Sequence, residues 1–260
     1  MKKEFNAILV IATRDFLKFL RDRTRILATF IFPLVFIGVL GGSLQANLGA
    51  QIGYNFLVFT FTGVLAQTLF QSTASGIISL IEDRENDFSQ EIFVSPISRY
   101  SIILGKILGE SLVALAQGVG IILFGLIIGI PISIVQILSI IPASLIICML
   151  GGAFGILVLA NLGSQRSANQ IFPFIIFPQF FVSGVFSPIK NLPLPLFVLS
   201  RIAPMTYAVD LMRDVYYNGM PEYGRIVLHP LVINIGIIAI LFIVFFAIGT
   251  LLFTRNERNK

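Results

Sequence analysis

Apolar residues in this chain fall into long unbroken blocks, with neither the alternation of a half-buried strand nor the one-sided stripe of a soluble helix. Six blocks stand out, at 26–44, 54–81, 102–130, 134–162, 171–186 and 229–253. Blocks of this length read as membrane-crossing helices, since about 20 residues of helix span a bilayer core. The second block holds 28 residues, about 42 Å of helix, so it outruns the ~30 Å core and must tilt or project from it. Pro33 lies well inside the first block and predicts a kink, while 45–53 reads as an uncharged turn. Pro131 closes the third block. Gly151, Gly152, Ala153 and Gly155 in the fourth would let another helix come close. The fifth is rich in phenylalanine, a composition that more often faces lipid or packs between helices than lines an exit route.

Two other patterns flank these blocks. Residues 4–24 predict an amphipathic helix, with Phe5, Ile8, Leu9, Ala12, Phe16, Phe19 and Leu20 recurring at three- and four-residue steps. Lys18, Arg21 and Arg23 fall mostly on its other side, as in a basic helix lying in a membrane interface. The second pattern is the break at 187–228. Its apolar stretch 192–202 is too short to span and is cut by Pro193 and Pro195, and 204–217 is amphipathic with Asp210, Arg213 and Asp214. Segments of this kind suit re-entrant or interfacial helices.

Composition sharpens the membrane reading: 56% of the 260 residues are hydrophobic, 12% are charged, and the mean hydropathy is +0.93. A net charge of +5 could suggest nucleic acid, but seven of the eighteen Lys and Arg residues precede residue 26 and three follow residue 254. They flank apolar runs, as the positive-inside rule expects. With six crossings both termini share a side. That side carries fourteen basic residues (Lys2, Lys3, Arg14, Lys18, Arg21, Arg23, Arg25, Arg84, Arg99, Lys106, Arg166, Arg255, Arg258, Lys260) against four on the other, so it is expected to be cytoplasmic. The start of the chain does not read as a signal peptide, because Arg14 and Asp15 interrupt its short apolar patch. One cysteine, Cys148, inside an apolar run excludes an intramolecular disulfide and a cysteine-based metal site. The lone His229, before Pro230, reads as interfacial.

The densest polar stretch between the crossings is 82–106. Residues 82–91 carry Glu82, Asp83, Glu85, Asp87 and Glu91, and one charge at the bilayer centre costs roughly 3 kcal/mol or more. The chain therefore leaves the membrane here, and Phe88 and Ile92, one turn apart, would share an apolar face. Such a face outside the membrane calls for a protein groove. Within the crossings, Gln67, Gln71 and Ser75 form one polar stripe at four-residue spacing, either lining a pathway or bonding to a packed helix. Lys106 and Glu110, also four apart, could pair while Lys106 snorkels; the alternative is that the embedded Glu110 serves transport. No phosphate loop, H-E-x-x-H, C-x-x-C or G-x-S-x-G occurs, and no internal repeat is evident, so energy for uphill movement would come from a partner.

Two segments resemble the type-2 ABC transporter permease family, exporters of drugs, polysaccharides and lipid-linked glycans. The first reads Glu91-Ile92-Phe93, then Ser95-Pro96-Ile97-Ser98-Arg99, then Leu104-Gly105-Lys106. The second reads Ser183-Gly184, Pro188, Leu192-Pro193, Pro204-Met205-Thr206-Tyr207, Asp210 and Arg213. Asp87-Phe88 departs from the Gly-Thr of many members. The resemblance covers nearly the whole chain and looks closest to the drug-resistance branch. It implies an all-α polytopic membrane protein in two parts, an interface helix at 1–25 and one six-span permease domain at 26–260. It further implies that 82–100 is a cytoplasmic coupling helix, with Asp87, Phe88, Ser89, Gln90, Glu91, Ile92, Phe93, Ser95, Pro96 and Arg99 meeting an ATP-binding subunit. Phe5, Phe16, Phe19, Arg21 and Arg23 of the interface helix would form a second contact. Ser183, Gly184, Pro188, Pro193, Pro204, Tyr207, Asp210 and Arg213 would belong to re-entrant helices on the outer side. The expected partners are two ATPase subunits, which would hold the ATP and magnesium, a second permease copy, and membrane lipid, but not nucleic acid. This chain would bind no cofactor and be no enzyme by itself.

Overall fold

The computed structural model describes residues 2–85, 97–160, 162 and 164–258, and among these every regular element is helical. They comprise α1 (Lys2–Arg21), α2 (Arg23–Val35), a π-helical turn (Phe36–Gly41), α3 (Gly42–Ile52), α4 (Phe56–Gly76) and α5 (Ile78–Glu85). From residue 99 onward come α6 (Arg99–Ile127), α7 (Ile134–Leu159), α8 (Gln165–Val182), α9 (Leu194–Ile202), α10 (Pro204–Tyr217), α11 (Tyr223–Ile226) and α12 (Leu231–Arg258).

Short polar side chains set many of the starts. Asp22 caps α2 through the Arg25 N–H, Asn55 caps α4 through the Val58 N–H, and Ser164 caps α8 through the Ser167 N–H. Ser133 and Gln136 form a reciprocal capping box on α7. Pro33, which has no N–H, lies in α2 just before the π turn, and the helical path continues through both. Residues 45–52, expected as a turn, are therefore helical: nothing between Pro33 and Gly53 breaks the ladder, and Gly53, at φ 74°, makes the turn.

Among the described residues, five helices are long and apolar enough to cross a membrane: Arg23–Asn47, Phe56–Asp83, Arg99–Ile127, Ile134–Leu159 and Tyr223–Asn256. A sixth crossing is reached only if α9 and α10, bent by 87° at Ala203, count as one. The expected fifth span falls on α8, which misses that standard. Its 18 residues extend about 27 Å, and they begin with Gln165, Arg166, Asn169 and Gln170.

α4 is the axis of the bundle, buried along almost its whole length against α6, α7, α10 and the π turn. Its contact with α7 is made by bare glycine. A Cβ at Gly151 would stand 2.3 Å from the Phe70 carbonyl oxygen, and one at Gly155 2.4 Å from that of Ala74. The close approach foreseen for this patch is thus real, and it is a backbone-to-backbone contact. α10 is enclosed on nearly every side by α4, α7 and α12. Its Asp and Arg residues face protein partners instead of water.

Candidate functional site

The chain ends, the start of α6 and the end of α7 lie at one end of the bundle: α1 runs beside α6, and Asn256 of α12 donates to the Ala160 carbonyl. α1 runs in the same direction as α6. The Glu4 carboxylate accepts the Ser98 N–H at 3.1 Å, Ile8 lies on Gly105, and Ala12 and Asp15 lie on Gly109. Hydrogen bonds from Ser101 and the Ser98 N–H hold the Glu4 carboxyl below its usual range. The predicted apolar face of α1 divides in two. Ala12 and Phe19 are buried, whereas Phe5, Leu9 and Leu20 are exposed. Phe16 is half-buried, and Arg21 and Arg23 are exposed.

On this face sits a charged clamp. Lys106 of α6, only 2% exposed, places Nζ 2.9 Å from Asp15 Oδ2 of α1 and 3.1 Å from Asp83 Oδ2 of α5. Arg14 reaches the same two carboxylates, at 2.9 Å and 2.5 Å. Lys18 pairs with Glu82 at 3.5 Å. Lys106 therefore neither snorkels nor pairs with Glu110. Glu110 accepts from the Ser79 hydroxyl at 3.1 Å, lies against the bare Cα of Gly76, and has Arg25 of α2 at 3.6 Å. Four-residue spacing made the Lys106–Glu110 pair possible, but α1 and α5 bring carboxylates closer. The clamp ties the N-terminal helix to α5 and α6, the two helices that flank residues 86–98. Asp87, Phe88, Ser89, Gln90, Glu91, Ile92, Phe93, Ser95 and Pro96 lie outside the described residues; Arg99 opens α6. Asp15 carried a legible signal that went unread, a carboxylate in register with Ile8, Ala12 and Phe19.

Beyond the clamp, a cleft of about 320 Å³ runs between α2, α4, α6 and α8. Gln67, Gln71 and Ser75 line it along α4, so the polar stripe faces open space. Its bonds stay within the helix: Gln67 Nε2 donates to Gln71 Oε1 at 3.3 Å, and Ser75 donates to the Ser72 carbonyl at 3.2 Å. Thr29, Gln117 and Arg25 add polar groups, while Phe32, Pro33 and Phe180 supply an apolar wall. Glu110 is not part of the lining; it stands behind Arg25. Gln117, a lone amide in an apolar helix, was the signal that sequence reading passed over.

At the opposite end, Gly184 adopts φ 83° after Ser183, Pro188 opens a short 3-10 turn, Pro193 precedes α9 and Pro204 starts α10. The Tyr207 hydroxyl donates to the Arg201 carbonyl at 2.8 Å. Asp210 accepts the N–H groups of Leu228 and His229 at 2.8 and 2.9 Å and the Asn234 amide at 3.0 Å. Arg213, 2% exposed, stacks 3.6 Å above the Phe59 ring and donates to the carbonyls of Phe59 and Val185. These residues pin the segment after α8 onto α4 and α12. They act as a structural lock.

A family model for ABC-2 type transporters matches residues 6–217, from α1 through the end of α10. The chain belongs to the ABC-2 type transporter family. The transport permease ycf38 of Cyanophora paradoxa is similar, with 27% identity over 255 residues, 95% of this chain and 88% of the relative. Nodulation protein J of Rhizobium leguminosarum bv. trifolii is 25% identical over 232 residues, 86% of this chain and 83% of the relative. YbhR of Escherichia coli K12, named as a multidrug ABC transporter permease, is 27% identical over 141 residues, 54% of this chain and 38% of its own length. The ABC-2 chain described here is thus a membrane permease of an ABC transporter, a transmembrane subunit whose family implies an ATP-binding partner.

Proposed function

We propose that this permease exports a hydrophobic or amphipathic compound, drug-like or lipid-like, from the cytoplasm or inner leaflet, driven by ATP hydrolysis on a separate subunit. The observation that carries the reading is the cleft of about 320 Å³ whose polar stripe opens among apolar helices. Amides inside a bilayer cost free energy unless they meet water, protein or cargo. Two copies of the permease and two ATPase subunits make up the working assembly, with both termini cytoplasmic in the plasma or inner membrane. The 82–100 loop is the coupling element. A push on it acts on α1, α5 and α6 together, because Lys106 and Arg14 bind Asp15 and Asp83. The tilt of those helices then opens or closes the cleft.

The test is a block of the cleft. Gln71→Cys is reconstituted in vesicles with its ATP-binding subunit and a fluorescent amphiphile that the wild-type complex moves with ATP. A bulky maleimide on the introduced thiol is expected to lower the rate at least fivefold while the ATPase stays bound; Cys148 is buried and out of reach. Unchanged movement after full labelling rejects the cleft as the route.

A further inference from the structure

His229 stands where α9, α10 and the start of α12 meet, and its two ring nitrogens have different partners. Nδ1 lies 3.3 Å from Asp210 Oδ2 of α10, and Nε2 lies 2.5 Å from Arg201 Nη1 of α9. A guanidinium has hydrogens to give and no lone pair to accept with. Nε2 is therefore the acceptor, so the ring is neutral and carries its one proton on Nδ1, aimed at Asp210. The other groups facing the ring are Tyr207 of α10, its ring centroid 6.1 Å away, and Asn234 of α12, whose amide donates to Asp210 Oδ2 and to the His229 carbonyl. The His229 side chain is 18% exposed, so a proton reaches it from solution at this end of the bundle. Histidine is the side chain that changes charge between about pH 5 and 8.

The charged form suits one partner and not the other. Asp210 gains an ion pair, and it is fixed in place by the N–H groups of Leu228 and His229 and by the Asn234 amide. Arg201 loses its acceptor and meets a second cation at 2.5 Å, so Arg201 is the side chain that yields. It also stacks on the Phe197 ring at 4.8 Å, but that ring belongs to its own helix and moves with it. α9 is short and starts behind Pro193, its Leu194, Val198, Leu199 and Ile202 side chains are exposed, and it meets α10 at an 87° bend. The Tyr207 hydroxyl still holds the Arg201 carbonyl, which makes the C-terminal end of α9 the pivot. α9 packs in turn on α8, the helix that brings Phe180 to the cleft.

We propose that His229 is a proton-sensitive latch. Neutral, it holds α9 against α10 and α12 through Arg201; protonated, it repels Arg201 and frees α9 to swing about Ala203. The contact with Arg201 exists only with the neutral ring, so the latch is closed at high pH and opens as the pH falls. It acts at the end of the bundle opposite the termini and does not depend on what the cleft carries.

The experiment uses the full chain in lipid nanodiscs, with spin labels on Leu194→Cys of α9 and Val232→Cys of α12, both exposed positions; Cys148 is buried and stays unlabelled. Pulsed electron–electron resonance reads the distance between the labels. The fraction of molecules at a longer, open distance should rise at least about fivefold from about pH 8 to about pH 5.5. Two variants remove the response by different routes. His229→Gln has no charge to gain, and its amide oxygen accepts from Arg201, so the closed distance should persist at both values. Arg201→Gln keeps His229 but offers an amide that donates to the neutral ring and accepts from the charged one, so the open fraction should change by less than about twofold. The titration without either variant stands by itself where a variant folds poorly: a distance distribution unchanged over this range overturns the latch. A full response in His229→Gln or in Arg201→Gln overturns it as well, because the sensitive group or its partner would then lie elsewhere.

Discussion

Replacing Lys106 by methionine tests whether the clamp holds α1 to the rest of the protein. The substitution keeps the apolar stem and deletes one charge between Asp15 and Asp83, which lie 2.9 and 3.1 Å from Nζ. Breaking a buried ion pair by removing one partner costs about 3–5 kcal/mol. The lower end applies here. Arg14 still meets both carboxylates, and its side chain, 33% exposed, draws solvent toward them. A loss of about 3 kcal/mol corresponds to roughly a 150-fold rise in local opening of α1. Hydrogen exchange of the α1 amides in nanodiscs reads this directly. Protection of α1 should fall by about two orders of magnitude, while that of α7 and α12 stays near wild type. Adding Asp15→Asn leaves Arg14 and Asp83 as a balanced pair, so the double variant should recover at least about 1 kcal/mol relative to the sum of the single changes. If Lys106→Met leaves α1 protection within about threefold of wild type, the clamp does not anchor this helix.

Two further outcomes follow from the structure and the proposed mechanism. Gly151→Ala should lower thermal stability more than Gly152→Ala, because the first Cβ meets the Phe70 carbonyl oxygen and backbone at 2.3 Å whereas the second meets the Cγ2 methyl of the Ile107 side chain at 2.6 Å; equal melting temperatures in detergent would contradict the backbone contact. Phe88→Ala with Ile92→Ala should leave the permease inserted but cost its ATPase contact about 2 kcal/mol or more, near thirtyfold in affinity, measured by co-purification at equal membrane levels; full retention of the ATPase refutes the coupling role of the loop.

Much of this architecture was legible in the chain. Apolar block length announced the crossings, because hydrocarbon demands a helix long enough to satisfy its own backbone. Asn55, Ser133 and Ser164 cap helices in the structure, a local signal that the sequence reading passed over. The spacing of Gln67, Gln71 and Ser75 put them on one face, and the two motif segments carried the family. The sequence did not say what that face met: only the packing of α2, α6 and α8 around α4 turned the stripe into a cleft wall. Nor did it choose partners for Lys106. Spacing within a helix determines which residues share a face, but a buried charge takes whichever opposite charge the tertiary fold brings nearest. Here that was Asp15 and Asp83, 91 and 23 positions away, and not Glu110, one turn along. The same holds for α10, amphipathic in sequence yet enclosed, since Asp210 and Arg213 find backbone and side-chain partners on neighbouring segments that no local pattern records. Local physics fixed the helices and their faces; desolvation, which penalises every unpaired polar group, left it to the assembled bundle to decide what each face would meet.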